Sequence, residues 1–437
     1  MTTMIIIVGA GLAGLTCARE LVAAGQQVLV LEASDQVGGR VRTDMHAGGY
    51  RLDRGFQVLF TAYPAVRRHL DVVALKQRRF EPGAILVKNG KRYAIADPLR
   101  DPGSIVSGLL NPLISPADKI RVLRLLRDVI GLSAGAIFSG KGQPGGKDES
   151  SEQYLRRLGF AEDGFIAHFA RPFYGGIFLD SSLATSARMC QFVFKMLATG
   201  DTIIPAEGMQ AMPEQLAAAL PEGAVRCKAR VSELVMSDGK VRGVQLASGE
   251  TLEADYVVVA TAGPAAAKLT GLSLPTEAMG SVCLYFAGDE QLYRDRKILL
   301  NANAGAFVNN AVLLTNIAPT YAPPHRHLLS ATVLDSPEGD DEELAQRCLR
   351  ELAGWFPEHD LSRWRFLAAY RVPFSQFAQR PGIYNELPAN RTPLEGLFLA
   401  GEYTESSSIH GAMHSGEKAA REILRTRVKD STRVKNS

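Results

Sequence analysis

The feature that most constrains this 437-residue chain is the run Met4 to Val8, five apolar residues that feed directly into Gly9, Gly11 and Gly14. An apolar run without alternation suits a strand covered on both faces of a parallel sheet. Beyond it, Leu12, Leu15, Ala18, Leu21 and Val22 supply the apolar face of a helix. In a Gly-x-Gly-x-x-Gly turn between strand and helix, each glycine has its own task. Gly9 makes the tight turn, Gly11 lets backbone approach a pyrophosphate, and Gly14 lets the helix pack closely on the sheet. With Leu12 and Ala13 opening the helix, an anion there meets free N–H groups and the positive end of the helix dipole.

Val28 to Leu31 reads as the second strand, and Glu32, followed by Ala33, stands at its end, 18 residues past Gly14. A carboxylate at that place holds both hydroxyls of an adenosine ribose and repels a 2'-phosphate. A glycine-rich turn on its own can be only a turn. With a strand before it, a helix after it and an acid in register, the expectation becomes an ADP-containing dinucleotide.

Gly38, Gly39 and Arg40, followed by Arg42 and Thr43, form a second glycine doublet with a guanidinium. Nicotinamide dehydrogenases have no requirement for it. The stretch ELV…VLVLEASDQVGGRVRT resembles the superfamily of flavin-dependent amine oxidases, protoporphyrinogen oxidases and phytoene desaturases. The resemblance implies that Gly39 and Arg40 run along the diphosphate and ribityl chain of FAD. It also implies that the turn Asp53-Arg54-Gly55-Phe56 brings backbone against the flavin at Gly55 and Phe56. The family has Gly-Gly or Gly-Pro after the Asp-x pair, so the departure after Gly55 makes Phe56 and Gln57 candidates for the substrate face. An ordinary strand-leading turn is the alternative.

The closing stretch GLFLAGEYTESSSIHGAMHSGEKAAREI, from Gly396, resembles the family's second flavin signature. It implies a flavin-binding role for Gly401 and Glu402, and a backbone N–H from Ile409 at a helix start facing flavin N1 and O2. His410, where many relatives carry glutamate, reads as a helix N-cap or a solvent-facing side chain. Val231 matches the position whose backbone brackets the adenine. No cysteine lies in this motif, so the FAD is expected to be non-covalent. Within the aromatic stretch Phe169 to Met196, Arg171 and Tyr174 are candidate pocket residues, as is Tyr370 further on; core packing is the competing reading for each.

The resemblance covers the ordered chain in a discontinuous order. The expected class is α/β: a Rossmann-like FAD-binding domain with a β-meander (residues 1–62, 197–280 and 381–425), plus a mixed α+β substrate or cap domain (63–196 and 281–380). Asp238-Gly239 is a strong hairpin signal within the meander. From about Tyr63 the cap is expected to be helical and irregular, punctuated by Pro98, Pro102, Pro112 and Pro116, with a glycine-rich polar excursion at Ser139 to Ser151. Strands are expected near Ser281–Ala287, Gly305–Leu314 and Leu328–Leu334, and an amphipathic helix at Asp341–Trp355. Residues 426–437 read as a flexible basic tail.

A near-balanced charge of +3 gives no support to nucleic-acid binding. The first strand starts at Met4, which leaves no room for a signal peptide, and no apolar run reaches the roughly 20 residues of a transmembrane helix. The five cysteines, odd in number and scattered, fit a reducing compartment as buried apolar groups. No histidine or cysteine spacing suggests a metal. The chain reads as cytoplasmic. Residues 105–137 allow two readings: a cap helix with a solvated stripe of Arg121, Arg124 and Arg127, or a peripheral membrane contact with its apolar face in lipid.

The expected activity is removal of hydride from a C–H bond of a hydrophobic substrate, desaturase-like or protoporphyrinogen-oxidase-like, with oxygen or quinone as electron acceptor. No catalytic acid–base pair shows in the sequence, and none is assigned. An amine oxidase, a flavin-dependent isomerase and a non-enzymatic prenyl- or lipid-binding escort of the same fold remain alternatives.

Overall fold

The computed structural model describes residues 3–95, 111–141, 143 and 147–435. Pro98, Pro102, the start of the 105–137 stretch and part of the 139–151 excursion lie outside the described residues. At the centre is a five-stranded parallel sheet whose middle strand, β1 (Met4–Val8), pairs with β2 (Gln27–Leu31) on one side and Tyr256–Val259 on the other. Val225–Arg226 and Leu397–Leu399 form its edges. The strand is apolar throughout because both of its faces are covered. Ile5 and Ile7 enter a core with α1 (Leu12–Ala23) and the C-terminal helix, while Ile6 and Val8 enter a second core on the other face. That other face is roofed by an antiparallel meander, Val231–Ser237, Lys240–Leu246 and Thr251–Glu253, whose Val241, Val244 and Leu246 point inward. Asp238 and Gly239 take φ values of 51° and 73°, the positive pair that a two-residue hairpin requires.

The second layer is a seven-stranded mixed sheet in the order 365–377, 278–288, 327–334, 310–313, 298–301, 84–88, 91–95. The last two strands come from the stretch expected to be helical and irregular. The overlooked signal is Asn89-Gly90, which turns the chain with φ of 50° and 72° between AILVK and KRYAI. Helix Asp341–Ala353 is present and carries a capping box between Asp340 and Glu343. Helices Pro116–Ile130 and Ser151–Arg157 pack on Ala187–Thr199, while Arg171–Phe178, which follows a π-helix, Glu162–Ala170, kinked at Gly164, reaches the sheet at strand 298–301.

The C-terminal helix runs from Ile409 to Lys435, through most of the stretch expected as a flexible tail. It crosses α1 at small residues: a Cβ on Gly416 would lie 2.3 Å from the Ala13 carbonyl oxygen. Gly416→Ala must therefore push two helices apart. The expected cost is about 1–3 kcal/mol of overpacking, read as a lowered Tm. Gly135→Ala, in an exposed helix with nothing within 4 Å, should leave Tm unchanged or slightly raised.

Candidate flavin site and its cavity

The turn after β1 is built on close backbone contacts. Gly9 has φ +109°, and a Cβ on it would meet the Ala260 carbonyl oxygen at 2.8 Å; one on Gly14 would lie 2.0 Å from the Gly9 oxygen. Gly11 differs, since its Cβ direction meets nothing within 4 Å. The turn therefore leaves a cradle over the first amides of α1, and a Cβ there would intrude on it. Against this turn lies the second doublet: the Gly38 amide donates to the Ala10 oxygen at 2.8 Å, and Gly11 and Gly38 form a parallel bridge.

Glu32 is buried at the end of β2 and held in place. Its Oε2 accepts the Ala10 amide at 2.9 Å, and its Oε1 accepts the Ser34 amide and hydroxyl, each at 2.8 Å. Across the cleft, Arg40 Nη1 stands 2.7 Å from Glu402 Oε1 and donates to the Ser375 oxygen at 2.6 Å. Glu402 follows a tight turn anchored by Ser415 Oγ, which accepts the Gly401 amide at 2.8 Å. Ser408 Oγ caps the Gly411 amide at 2.8 Å. The helix beginning at Ile409 therefore presents its first unsatisfied amides beside this turn.

The turn holding Gly55 is fixed from behind by a buried carboxylate. Asp53 accepts from Thr43 Oγ1, the Met209 amide at 3.0 Å and the Tyr321 hydroxyl at 2.9 Å, while its carbonyl accepts the Tyr285 hydroxyl at 2.8 Å. Burial outweighs these donors and raises its pKa to about 6.

These segments converge on one cavity of about 820 Å³. One end is lined by Gly9, Gly11, Leu12, Ala13, Glu32, Gly39, Arg40, Gly401, Glu402 and Ile409, and the middle by Gly55, Phe56 and Gln57. The far end is a chamber walled by Phe165, Phe169, Phe173, Tyr174, Ile177, Met189 and Leu197, with Asn310 and Thr332 on its sheet side. Phe165, Phe169 and Phe173 recur every fourth residue and meet successively, tilted at a centroid distance of 5.1 Å and then stacked at 4.9 Å. That spacing was visible in the sequence; Asn310 and Thr332 carried no local signal.

Several expected residues stand outside the cavity wall. Gly14 serves helix packing. Ala33 is exposed, and Val231 lies in the meander. Tyr370 turns its hydroxyl to Asp44 Oδ2 at 3.0 Å and packs edge-on to Tyr285. Arg171 is held in an ion network with Glu152 and Glu162. His410 is neither N-cap nor solvent-facing. It is buried, stacked between Tyr63 and His414, and burial pulls its pKa down to about 3, so it stays neutral. Among the described lining residues there is no histidine, cysteine or aspartate. Burial also pushes the hydroxyls of Tyr63 and Tyr174 well above their ordinary range. On the chamber side the titratable lining also includes Glu81, engaged by Arg296 and Lys297, and Lys119; no catalytic role is assigned to either.

A cleft built from a strand–glycine turn–helix, a second glycine doublet and a closing helix fits a flavin-binding oxidoreductase class. The sequence model of the flavin-containing amine oxidoreductases matches residues 12–424, and the chain belongs to that family. It is 25% identical to the 15-cis-phytoene desaturase of Solanum lycopersicum over 96% of this chain and 77% of that protein. It is also 25% identical to the zeta-carotene desaturase of Synechocystis sp., over 98% of each. A putrescine oxidase with putrescine bound shares the fold, with a TM-score of 0.72 at 20% identity over 97% of this chain and 99% of that one. The protein is an enzyme, a flavin-containing oxidoreductase. Among the described residues, no helix is long and apolar enough to cross a membrane.

Asp53 gives a pH-dependent prediction. Its folded-state pKa lies above the unfolded value, so its contribution to stability is complete below about pH 4 and is lost as pH rises through about 6. The Tm of the wild type relative to Asp53→Asn should fall between pH 4 and pH 7, by the equivalent of about 3 kcal/mol. A flat difference would show that Asp53 does not titrate in that window.

Proposed function

We propose that the chain binds FAD non-covalently and oxidises a hydrophobic substrate at a C–H bond, with oxygen or a quinone as the final acceptor. The observation that carries this reading is the continuity of one cavity from the Gly11 cradle and Glu32 to an aromatic, apolar chamber. The residues fit the cofactor. Glu32 takes the ribose hydroxyls, the Gly11 cradle and the amides of Leu12 and Ala13 take the diphosphate, and Arg40 with Glu402 flanks the ribityl chain. Gly55, Phe56 and the Ile409 amide, which line the same cavity, would hold the ring. The five cysteines are free and stand outside the cavity wall, which supports non-covalent binding.

When bound, flavin supplies the hydride acceptor and passes the electrons on to oxygen or quinone. The protein's part is positioning and exclusion of water. The chamber wall holds the substrate bond near the flavin, and the positive end of the C-terminal helix favours the negative charge that reduction develops. The desaturase relatives and the apolar chamber support a hydrophobic substrate over a small amine.

Heating the purified protein should release a yellow supernatant with the FAD spectrum; a colourless protein that ignores added FAD would overturn the reading. Glu32→Ala should raise the Kd for FAD by about 10- to 100-fold, the loss of charge-assisted hydrogen bonds worth about 1.5–3 kcal/mol. Fluorescence titration of the apoprotein measures it. Anaerobic bleaching by polyenes, porphyrinogens or amines then identifies the substrate class.

A second element of the proposal concerns the helix Pro116–Ile130. Val122 and Leu123 line the chamber, while Ile120 and Leu123 are 67% and 53% exposed, and Ile130 is exposed on the same side. Arg121 pairs with Asp118, Arg124 donates to the Leu158 oxygen at 3.0 Å, and Arg127 is exposed. A helix apolar on both its chamber and outer sides supports a lipid-boundary contact through which substrate enters. The wild type should float with anionic liposomes at low salt, and the double substitution Ile120→Glu, Leu123→Glu should not. Absence of wild-type flotation sinks the contact.

A further inference from the structure

A buried polar chain joins the chamber wall to the turn before the C-terminal helix, and one carboxamide closes it. Ser186 caps the helix Ala187–Thr199, whose Met189, Phe194 and Leu197 line the chamber. The Ser186 amide donates to the Gln379 backbone oxygen at 2.8 Å. Gln379 Oε1 in turn accepts the Ser407 amide at 2.8 Å and the Tyr384 hydroxyl at 3.0 Å. Two donors converging on one atom identify it as the oxygen. Gln379 is 3% exposed and Ser407 4%, so the bond between them is buried. Behind Ser186, its hydroxyl donates to the Asp148 carboxylate at 2.8 Å, and Asp148 also accepts the Gly382 amide at 3.0 Å. At the other end, Ser407, Ser408 and Ile409 line the cavity where the C-terminal helix begins.

We propose that Gln379 is a positioning residue that holds the Ser407 amide and thereby sets where the positive end of the C-terminal helix stands against the flavin. This rests on the flavin reading above. The amide it occupies lies two residues before Ile409, on a turn with no regular structure of its own until the helix starts. Losing that bond leaves a buried amide unpaired and lets the turn shift to find a partner. A helix dipole acts only over its first turn, so a small shift changes how well it balances the charge of reduced flavin.

The test uses the FAD-loaded enzyme, equilibrated anaerobically with a reference dye. Gln379→Met should bind FAD within threefold of the wild type. Its two-electron reduction equilibrium should nevertheless be at least tenfold less favourable, equivalent to about 30 mV. Tyr384→Phe removes the other donor on the same oxygen and leaves the Ser407 bond, so its equilibrium should match the wild type. The proposal is overturned by a wild-type equilibrium in Gln379→Met, or by an equal shift in Tyr384→Phe, which would mark the network as generally structural. If Gln379→Met does not fold, Gln379→Asn, which withdraws the carboxamide from Ser407, is judged by the same two criteria. A wild type that takes up no FAD removes the flavin reading and this proposal together; normal FAD binding with an unmoved equilibrium removes only the role of Gln379.

Discussion

The contact on which the molecule depends is the approach of α1 to the turn after β1, where Gly14 sits over the Gly9 carbonyl at a distance that excludes any side chain. That approach brings the free amides of α1 to the carboxyl end of the parallel sheet, where its strand order reverses and ligands of such sheets bind. Everything else in the cleft is referred to the same turn. The Ala10 amide holds Glu32, the Ala10 oxygen holds Gly38, and Ala260 closes over Gly9 from the neighbouring strand. On the outer side of α1, Gly416 lets the C-terminal helix lie just as close, so residues about 400 positions apart in sequence share one wall.

Arg40 and Glu402 join those two ends of the chain across the cleft. Glu402 is 7% exposed and its pair is 2.7 Å away, so this is not a surface ion pair of negligible value. Removing Arg40 would leave the buried Glu402 carboxylate without its cation, whereas Arg40, a third exposed, keeps the Ser375 oxygen if Glu402 is removed. Asp53 does comparable work on the chamber side. It gathers donors from the 209 and 321 segments beneath the Gly55 turn, whose Gly55, Phe56 and Gln57 line the cavity.

How much of this could be read from the sequence follows from where the information resides. The glycines, Glu32, the doublet before Arg40, and the Gly401-Glu402 turn are dictated by local backbone demands, and a local pattern reveals them. The Asp238-Gly239 hairpin is of the same kind. Asn89-Gly90 is equally local, but the expectation of a helical cap hid it. Tyr370 and His410 are different. One is an aromatic on a long strand and the other follows a helix start; only tertiary packing decides that the first faces Asp44 and the second is buried between rings. The polar pair Asn310 and Thr332 belongs to two strands brought into register by the sheet, and no single segment announces it.

The chamber also bears on which members of this family the chain should resemble in chemistry. A protonated amine taken into such a space loses several kcal/mol of hydration. Glu81, the carboxylate on the chamber side, is engaged by Arg296 at 3.2 Å and Lys297 at 3.6 Å. Glu32 and Glu402 belong to the nucleotide end and are engaged there. The aromatic faces of Phe165, Phe169 and Phe173 could return about 0.5–2 kcal/mol to a cation, less than the hydration given up. An uncharged apolar substrate incurs none of these costs and gains from each ring it covers, about 25 cal/mol for every Å² of apolar surface removed from water. These terms support the proposed neutral, hydrophobic substrate over an amine through the far end of the cavity, where the lining is aromatic, and not through the glycine-rich cleft.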